Sequence, residues 1–210
     1  MYRLGIMGGT FDPIHYGHMV AAEMARTEFA LAKVLFIPAG DPPHKAGQTI
    51  SPGYVRYDMV KQAVSDNPFF EVSPLEIDRV GPSYTVDTLR QVHINLQDSE
   101  LYFITGSDAL REIFDWRETM EMLSLAHFIG ASRPGFETDE FLRQVESEHP
   151  EVRGRIHVLE VPALAISSTD IRARVAGGRS IRYLLPEQVR LYIEEAGLYK
   201  PGSQNSGVRS

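Results

Sequence analysis

Cysteine is absent from the 210-residue chain, which excludes disulfides, thiolate metal sites and a cysteine nucleophile. Long apolar runs are absent as well: none approaches the ~20 residues that a membrane-spanning helix needs, and residues 1–6 lack the pattern of a signal peptide. Positive charge is scarce, with 21 Lys and Arg against 28 Asp and Glu, which disfavours a general nucleic-acid-binding surface. We therefore expect a cytoplasmic protein without a nucleic-acid or membrane partner. A small anionic ligand stays compatible with this charge, because a pocket needs only a few local cations.

Short apolar segments alternate with segments of helical periodicity along the chain. Strand patterns cover residues 3–7, 34–38, 69–72, 101–105, 127–131 and 156–159. Helical patterns cover residues 17–29, 54–65, 84–96, 138–148, 168–175 and 186–196. The alternation predicts the α/β class, with one doubly wound, Rossmann-like parallel-sheet domain over residues 1–200. The polar residues 201–210 predict a disordered tail.

The segment after the first predicted strand combines glycines, a hydroxyl residue and two histidines: Gly8, Gly9, Thr10, Phe11, Asp12, Pro13, Ile14, His15, Tyr16, Gly17 and His18. His15 and His18 stand three residues apart, which places them on one side of a first helical turn, and Gly17 leaves room between them. A helix N-terminus and two imidazoles can hold a triphosphate and donate to charge that builds up during transfer. A metal pair is the weaker interpretation, because no acidic or thiol ligand is near.

A second group of hydroxyl and cationic residues opens the predicted helix at residue 168. Ser167, Ser168 and Thr169 are good N-cap residues, and a cap alone accounts for one of the three hydroxyls. Together with Arg172 they also suit a second anion site, in which the guanidinium binds phosphate oxygens in a fork.

Both segments resemble the signatures of the nucleotidyltransferase superfamily that carries an HxGH motif and a second ISSTxIR motif. The resemblance implies adenylyl transfer from ATP, with Mg²⁺ carried on the triphosphate and no metal ligand from protein side chains. It assigns catalysis to His15, His18 and Arg172. It assigns ATP contacts to Gly8, Gly9, Thr10, Phe11, Gly106, Asp108, Ser167, Ser168, Thr169 and Lys45. Asp108 is expected at a ribose diol or as a helix N-cap, and Lys45 at the phosphates or simply solvated in its loop.

Further segments between residues 5 and 199 resemble the nicotinate-nucleotide adenylyltransferases in particular: residues 42–45, 81–89, 106–110, 132–135, 183–186 and 197–199. This resemblance implies that nicotinate mononucleotide accepts the adenylyl group, giving nicotinate adenine dinucleotide and pyrophosphate. It assigns the mononucleotide contacts to Thr85, Trp116, Arg117, His44 and Arg133. Trp116 is expected either in the core or stacked on the pyridine ring.

Several alternatives stay open at this stage. The amide, nicotinamide mononucleotide, is the nearest rival acceptor; phosphopantetheine is less favoured, because that branch usually carries Thr where this chain has His15. A non-catalytic nucleotide-binding protein and a fragment of an aminoacyl-tRNA synthetase are weaker. A homo-oligomer is possible. The remaining histidines are interpreted as structural and without partners: His93, His127, His149 and His157.

Overall fold

The computed structural model describes residues 2–42, 47, 49–133, 138–162 and 165–202. Its six strands are β1 (Tyr2–Gly9), β2 (Lys33–Pro38), β3 (Phe70–Val72), β4 (Ser99–Gly106), β5 (Ala126–Ser132) and β6 (Ile156–Glu160). Its eight α-helices are α1 (Tyr16–Glu28), α2 (Gly53–Ala63), α3 (Thr85–Asn95), α4 (Ser107–Arg111), α5 (Thr119–Leu125), α6 (Thr138–Glu148), α7 (Ser168–Ala176) and α8 (Glu187–Glu195). Two single 3-10 turns cover Ile113–Asp115 and Pro150–Val152.

The strands form one parallel sheet in the order β3-β2-β1-β4-β5-β6. This is the order of a Rossmann-like doubly wound sheet, in which the chain reverses its direction of growth between β1 and β4. The predicted fold class is therefore confirmed. The reversal opens a crevice at the carboxyl ends of β1 and β4, where Gly9 and Gly106 end the strands.

Side-chain alternation along the strands builds a separate core on each face of the sheet. On β1, Leu4 and Ile6 enter one core and Met7 enters the other. Helices α1, α2, α7 and α8 cover the Met7 face, whereas α3, α4, α5 and α6 cover the opposite face. The apolar runs that predicted buried parallel strands therefore reflect burial from both sides.

Most predicted elements appear within two or three residues of their predicted bounds, but two helices were missed. Helices α4 and α5 contain only five and seven residues, too few for a helical period to stand out. The predicted end of the last helix is confirmed, since Gly197 follows α8 in a left-handed conformation (φ 62°). None of the described helices is both long and apolar enough to cross a membrane.

Candidate active site

Two neighbouring cavities open at the crevice between β1 and β4. The larger, of about 590 Å³, is lined by Gly8, Gly9, Thr10, Ala39, Pro42, Glu76, Ser83, Tyr84, Thr85, Phe103, Thr105, Ala109, Glu112, Asp115, Trp116, Arg117 and Met122. The smaller, of about 290 Å³, is lined by Thr10, Phe11, Asp12, His18, Thr49, Ile50, Ser168, Thr169 and Arg172. Thr10 belongs to both walls, so the two cavities meet at the turn that follows β1.

The two histidines of the first motif lie at the start of α1. His15 is the N-cap residue in an extended conformation, and His18 lies in the first turn. Their rings stack with centroids 3.8 Å apart and an interplanar angle of 27°. A Cβ at Gly17 would lie 3.0 Å from the His15 ring, so glycine provides the predicted room beside it.

Both imidazoles are neutral near pH 7. Burial lowers the pKa of His15 to about 4, and burial together with the neighbouring His15 ring holds the pKa of His18 well below its usual value. The backbone N–H of His15 donates to Nδ1 of His18 over 3.3 Å. Because Nδ1 accepts, the proton of His18 sits on Nε2, which makes Nε2–H a donor for an anion in the smaller cavity.

The second motif packs directly against the first. Ser167 is the N-cap of α7 and accepts from the backbone N–H of Asp170 over 3.1 Å, so the predicted cap is confirmed. Ser168 Oγ donates to the carbonyl of Pro13 over 2.9 Å. Arg172 Nη1 donates to the carbonyl of Asp12 over 2.7 Å. These bonds bring two segments about 160 residues apart into one wall of the smaller cavity.

Sequence reasoning missed a fully buried arginine beneath this turn. The Arg56 guanidinium donates to the carbonyls of Ser51 (2.9 Å), Thr10 (2.7 Å) and Ala39 (2.6 Å), and the side chain has no exposed surface. Burial lowers its pKa, which the nearby Asp12 partly offsets. The signal in the sequence was that Arg56 stands three residues before Met59 and therefore lies on the same buried face of α2.

Aromatic and helix-terminal residues form one side of the larger cavity. Trp116 is half-buried and meets Phe103 edge-on, with ring centroids 6.3 Å apart. Its ring therefore lies at the edge of the core and in the wall of the larger cavity at once, and its stacking on a pyridine ring stays a prediction. Thr85 begins α3, and the Arg117 guanidinium lies 4.7 Å from the ring centroid of Tyr84. The predicted mononucleotide residues Thr85, Trp116 and Arg117 thus line one cavity.

A buried carboxyl group, also missed, forms another part of this wall. Glu76 accepts from the hydroxyl of Thr88 over 2.6 Å and is held by Ser83 as well. Burial raises its pKa. The Ser83 hydroxyl in turn accepts from the backbone N–H of Gly40 over 3.1 Å. A Cβ at Gly40 would lie 2.1 Å from the Glu76 carbonyl oxygen, so this contact requires glycine.

Other predicted site residues lie elsewhere or outside the description. Asp108 is exposed and is the second residue of α4, whose N-cap is Gly106; the alternative that Asp108 caps a helix is therefore wrong. Gly106 and Asp108 line neither of the two cavities. Arg133 is exposed directly after β5. His44 and Lys45 lie outside the described residues.

The interpretation of the other histidines needs correction. His127 and His157 are partners, with ring nitrogens 3.0 Å apart, and His127 also lies 3.3 Å from a Glu100 oxygen. His149 stacks on Phe114 with centroids 4.0 Å apart. The prediction that side chains lack partners was therefore wrong for these three histidines, because their aromatic and polar neighbours come from distant parts of the chain. For His93 it stays a prediction.

The described residues contain no group of three or more His, Asp or Glu side chains that could hold a metal ion. Asp12 is the acidic residue in the described lining of the smaller cavity. Its two carboxylate oxygens accept hydrogen bonds from Ser51 and Tyr199.

Comparisons with known proteins show the family of this chain. A family model described as "Cytidylyltransferase-like" matches residues 6–174. A relative from Desulfitobacterium hafniense named "Probable nicotinate-nucleotide adenylyltransferase" is 66% identical over 94% of this chain and 96% of its own length. A relative of the same name from Moorella thermoacetica is 53% identical over 95% of this chain and 92% of its own length.

Solved structures match the fold. The Plasmodium falciparum nicotinic acid mononucleotide adenylyltransferase complexed with NaAD has a TM-score of 0.77 and 20% identity over 95% of this chain and 98% of that chain. The same enzyme complexed with APC has a TM-score of 0.75. The family model and the relatives together define a nucleotidyltransferase. The chain belongs to the cytidylyltransferase-like family and, within it, to the nicotinate-nucleotide adenylyltransferases.

Proposed function

We propose that this chain transfers the adenylyl group of ATP to nicotinate mononucleotide, giving nicotinate adenine dinucleotide and pyrophosphate in NAD biosynthesis. The observation that carries the proposal is the pair of cavities that meet at Thr10. One is lined by cationic and hydroxyl groups suited to a triphosphate, and the other by an aromatic ring suited to a pyridine. The names of the relatives support the same reaction.

In this reaction a phosphate oxygen of the mononucleotide attacks the α-phosphorus of ATP in line. A new P–O–P bond forms as the α–β bridge breaks, and the electron pair leaves with pyrophosphate. The attacking phosphate is already ionised, so the protein needs to position and neutralise rather than to remove a proton. Mg²⁺ enters with ATP as part of the substrate.

The smaller cavity supplies the groups that stabilise the developing charge. His18 Nε2–H and the Arg172 guanidinium are the proposed donors to phosphate oxygens, and His15 supports the His18 ring by stacking. Donors held in place before the reaction cost little reorganisation when charge builds up. Arg172 is held by Asp12 and Thr169, which supports such a fixed role.

The larger cavity supplies recognition of the acceptor. Trp116 is the proposed stacking surface for the pyridine ring. The N-terminus of α3 at Thr85, where no side chain caps the helix, favours a negatively charged group through its free amides and dipole. Arg117 lies on the same wall. A carboxylate is therefore favoured over a neutral carboxamide.

Lys45, His44 and Arg133 are proposed to contact phosphates or the mononucleotide from the surrounding loops, and Asp108 to contact the ATP ribose. These roles rest on the family resemblance. Alanine variants of each, compared for ATP and mononucleotide KM separately, test them residue by residue.

One assay tests the proposed reaction directly. Pyrophosphate release from MgATP is measured in parallel with nicotinate mononucleotide, nicotinamide mononucleotide and phosphopantetheine. We expect the highest kcat/KM with the acid. Equal or higher kcat/KM with the amide would refute the acid preference, and no release with either pyridine nucleotide would refute the reaction itself.

A further inference from the structure

The side chain and carbonyl of Asp12 connect its turn to three distant segments of the chain. The carbonyl accepts from Arg172 of α7 over 2.7 Å. Carboxylate Oδ2 accepts from the backbone N–H of Ser51 over 3.2 Å, and Oδ1 accepts from the hydroxyl of Tyr199 over 2.6 Å. Asp12 itself is only 3% exposed. Its position is therefore set by contacts from distant segments rather than by its own turn.

Tyr199 reaches this residue from beyond the last helix. It follows α8 with a left-handed backbone (φ 63°), and its hydroxyl bonds across 187 residues of sequence. Burial, and then the negative Asp12, raises the pKa of Tyr199. The hydroxyl therefore keeps its proton over the physiological range and always donates to Asp12.

We propose that Tyr199 is a positioning residue for ATP binding: its hydroxyl fixes Asp12, and the Asp12 carbonyl in turn orients the Arg172 guanidinium toward the triphosphate. The inference rests on the proposed function for the identity of the ligand. Bonds to Oδ1 and Oδ2 hold the carboxylate from two sides, and this anchoring restricts the movement of the residue whose carbonyl accepts from Arg172. Arg172 Nη1 donates to that carbonyl and Nη2 donates to the Thr169 hydroxyl over 3.3 Å, which leaves the remaining N–H groups of the guanidinium for the cavity that Arg172 lines.

The contact is specific to the tyrosine hydroxyl. The Tyr199 ring itself packs at the edge of the core that also holds Met59, so replacement by phenylalanine keeps the packing and removes the donor alone. Asp12 would then lose its charge-assisted partner on one side. Loss of such a bond lowers ligand affinity on the order of tenfold when it displaces a group that contacts the ligand.

The test measures affinity for a non-hydrolysable ATP analogue by isothermal titration calorimetry, so that it does not depend on the acceptor. We expect Tyr199→Phe to weaken the analogue about five- to tenfold and to leave the affinity for nicotinate mononucleotide unchanged. Tyr183→Phe is the matched control, because it removes the same atom from a tyrosine that is 82% exposed. We expect it to match the unmodified protein in both affinities.

A double-substitution cycle separates positioning from general structure. In an Arg172→Ala background, Tyr199→Phe should cause no further loss of analogue affinity, since the group that it positions is gone. The proposal would be overturned if the two substitutions together lowered analogue affinity by the product of their separate effects. It would also be overturned if Tyr199→Phe lowered the affinity for nicotinate mononucleotide as much as the affinity for the analogue. Circular dichroism confirms that each variant is folded at the assay temperature.

If Tyr199→Phe does not fold, Asp12→Ala tests the same bond from its acceptor side, because it removes the carboxylate and keeps the backbone carbonyl that accepts from Arg172. It should show the same loss and the same absence of further effect with Arg172→Ala, and unchanged affinity would overturn the inference. If the analogue binds as expected but no pyridine nucleotide is adenylylated, the proposed function fails while the positioning role stands.

Discussion

Arg56→Lys is the substitution that most directly tests how the turn after β1 is supported. The buried guanidinium makes three short hydrogen bonds, to the carbonyls of Ser51, Thr10 and Ala39. Thr10 follows β1, Ala39 follows β2 and Ser51 precedes α2, so a single side chain connects three segments at the crevice. Lysine keeps the positive charge and most of the aliphatic stem.

The expected loss follows from geometry. An ammonium group is a single point, whereas the guanidinium is a planar fork with donors on three nitrogens. A lysine at position 56 keeps at most one of the three short contacts and leaves two buried carbonyls unpaired. Each unpaired group costs about 1–2 kcal/mol, so we expect a loss of about 2–4 kcal/mol. This is a large part of the 5–15 kcal/mol that is typical for a whole domain, on the order of a third.

Urea unfolding followed by circular dichroism measures this loss, with the midpoint and the m-value fitted together. Arg90→Lys is the matched control: Arg90 is paired with Asp87, Glu118 and Glu121, but its side chain is one-third exposed. We expect a much smaller change for the control. If Arg56→Lys were as stable as Arg90→Lys, the argument that the buried fork supports the turn would be refuted.

Three further outcomes are expected. His18→Ala should lower kcat on the order of 10²–10³-fold with little change in ATP affinity, as measured by pyrophosphate release; a pure binding defect would contradict its role as a donor. Trp116→Ala should raise the KM for the mononucleotide while the KM for ATP stays within about twofold, and should also lower Tm because its aromatic contacts are lost; equal effects on both KM values would contradict the stacking role. Because burial lowers the pKa of His15 from 6.5 to about 4, the unfolded chain binds more protons between these values, so stability falls as pH drops from 7. At about 1.4 kcal/mol per tenfold change in proton affinity, His15 accounts for a loss of about 3 kcal/mol by pH 4. Urea unfolding at pH 7 and pH 4 should show that His15→Asn loses about 3 kcal/mol less stability over this range than the unmodified protein. Equal losses in the two proteins would refute this expectation.

The fold could be predicted because its signals are local and repeated. The runs at Val34 and Phe103 are apolar on both strand faces, since helices cover the sheet on both sides. Helix α4 could not be predicted in the same way. Its five residues contain only Leu110 and Ser107 as buried positions, and its place is set by β4 and β5 rather than by its own period.

The same distinction separates the predicted and the missed site residues. His15 and His18 are neighbours in sequence and in space, so their spacing predicts their contact. Arg56 lies 46 residues from the carbonyl of Thr10, and Tyr199 lies still farther from Asp12. No local pattern reports such contacts, because tertiary packing creates them.

These distant contacts support residues 10–15, which lie between β1 and α1 and belong to neither. Without support, such a segment has backbone freedom that would make the position of any ligand donor variable. A buried arginine below the turn and a buried aspartate beside it remove that freedom, each with its polar atoms bonded to the chain. Burying such groups is costly, and complete pairing recovers part of that cost while it fixes the geometry. Since a fixed donor array stabilises developing charge better than a mobile one, we expect the polar groups beneath the turn to matter for the proposed phosphate site as much as His18, which lines the smaller cavity.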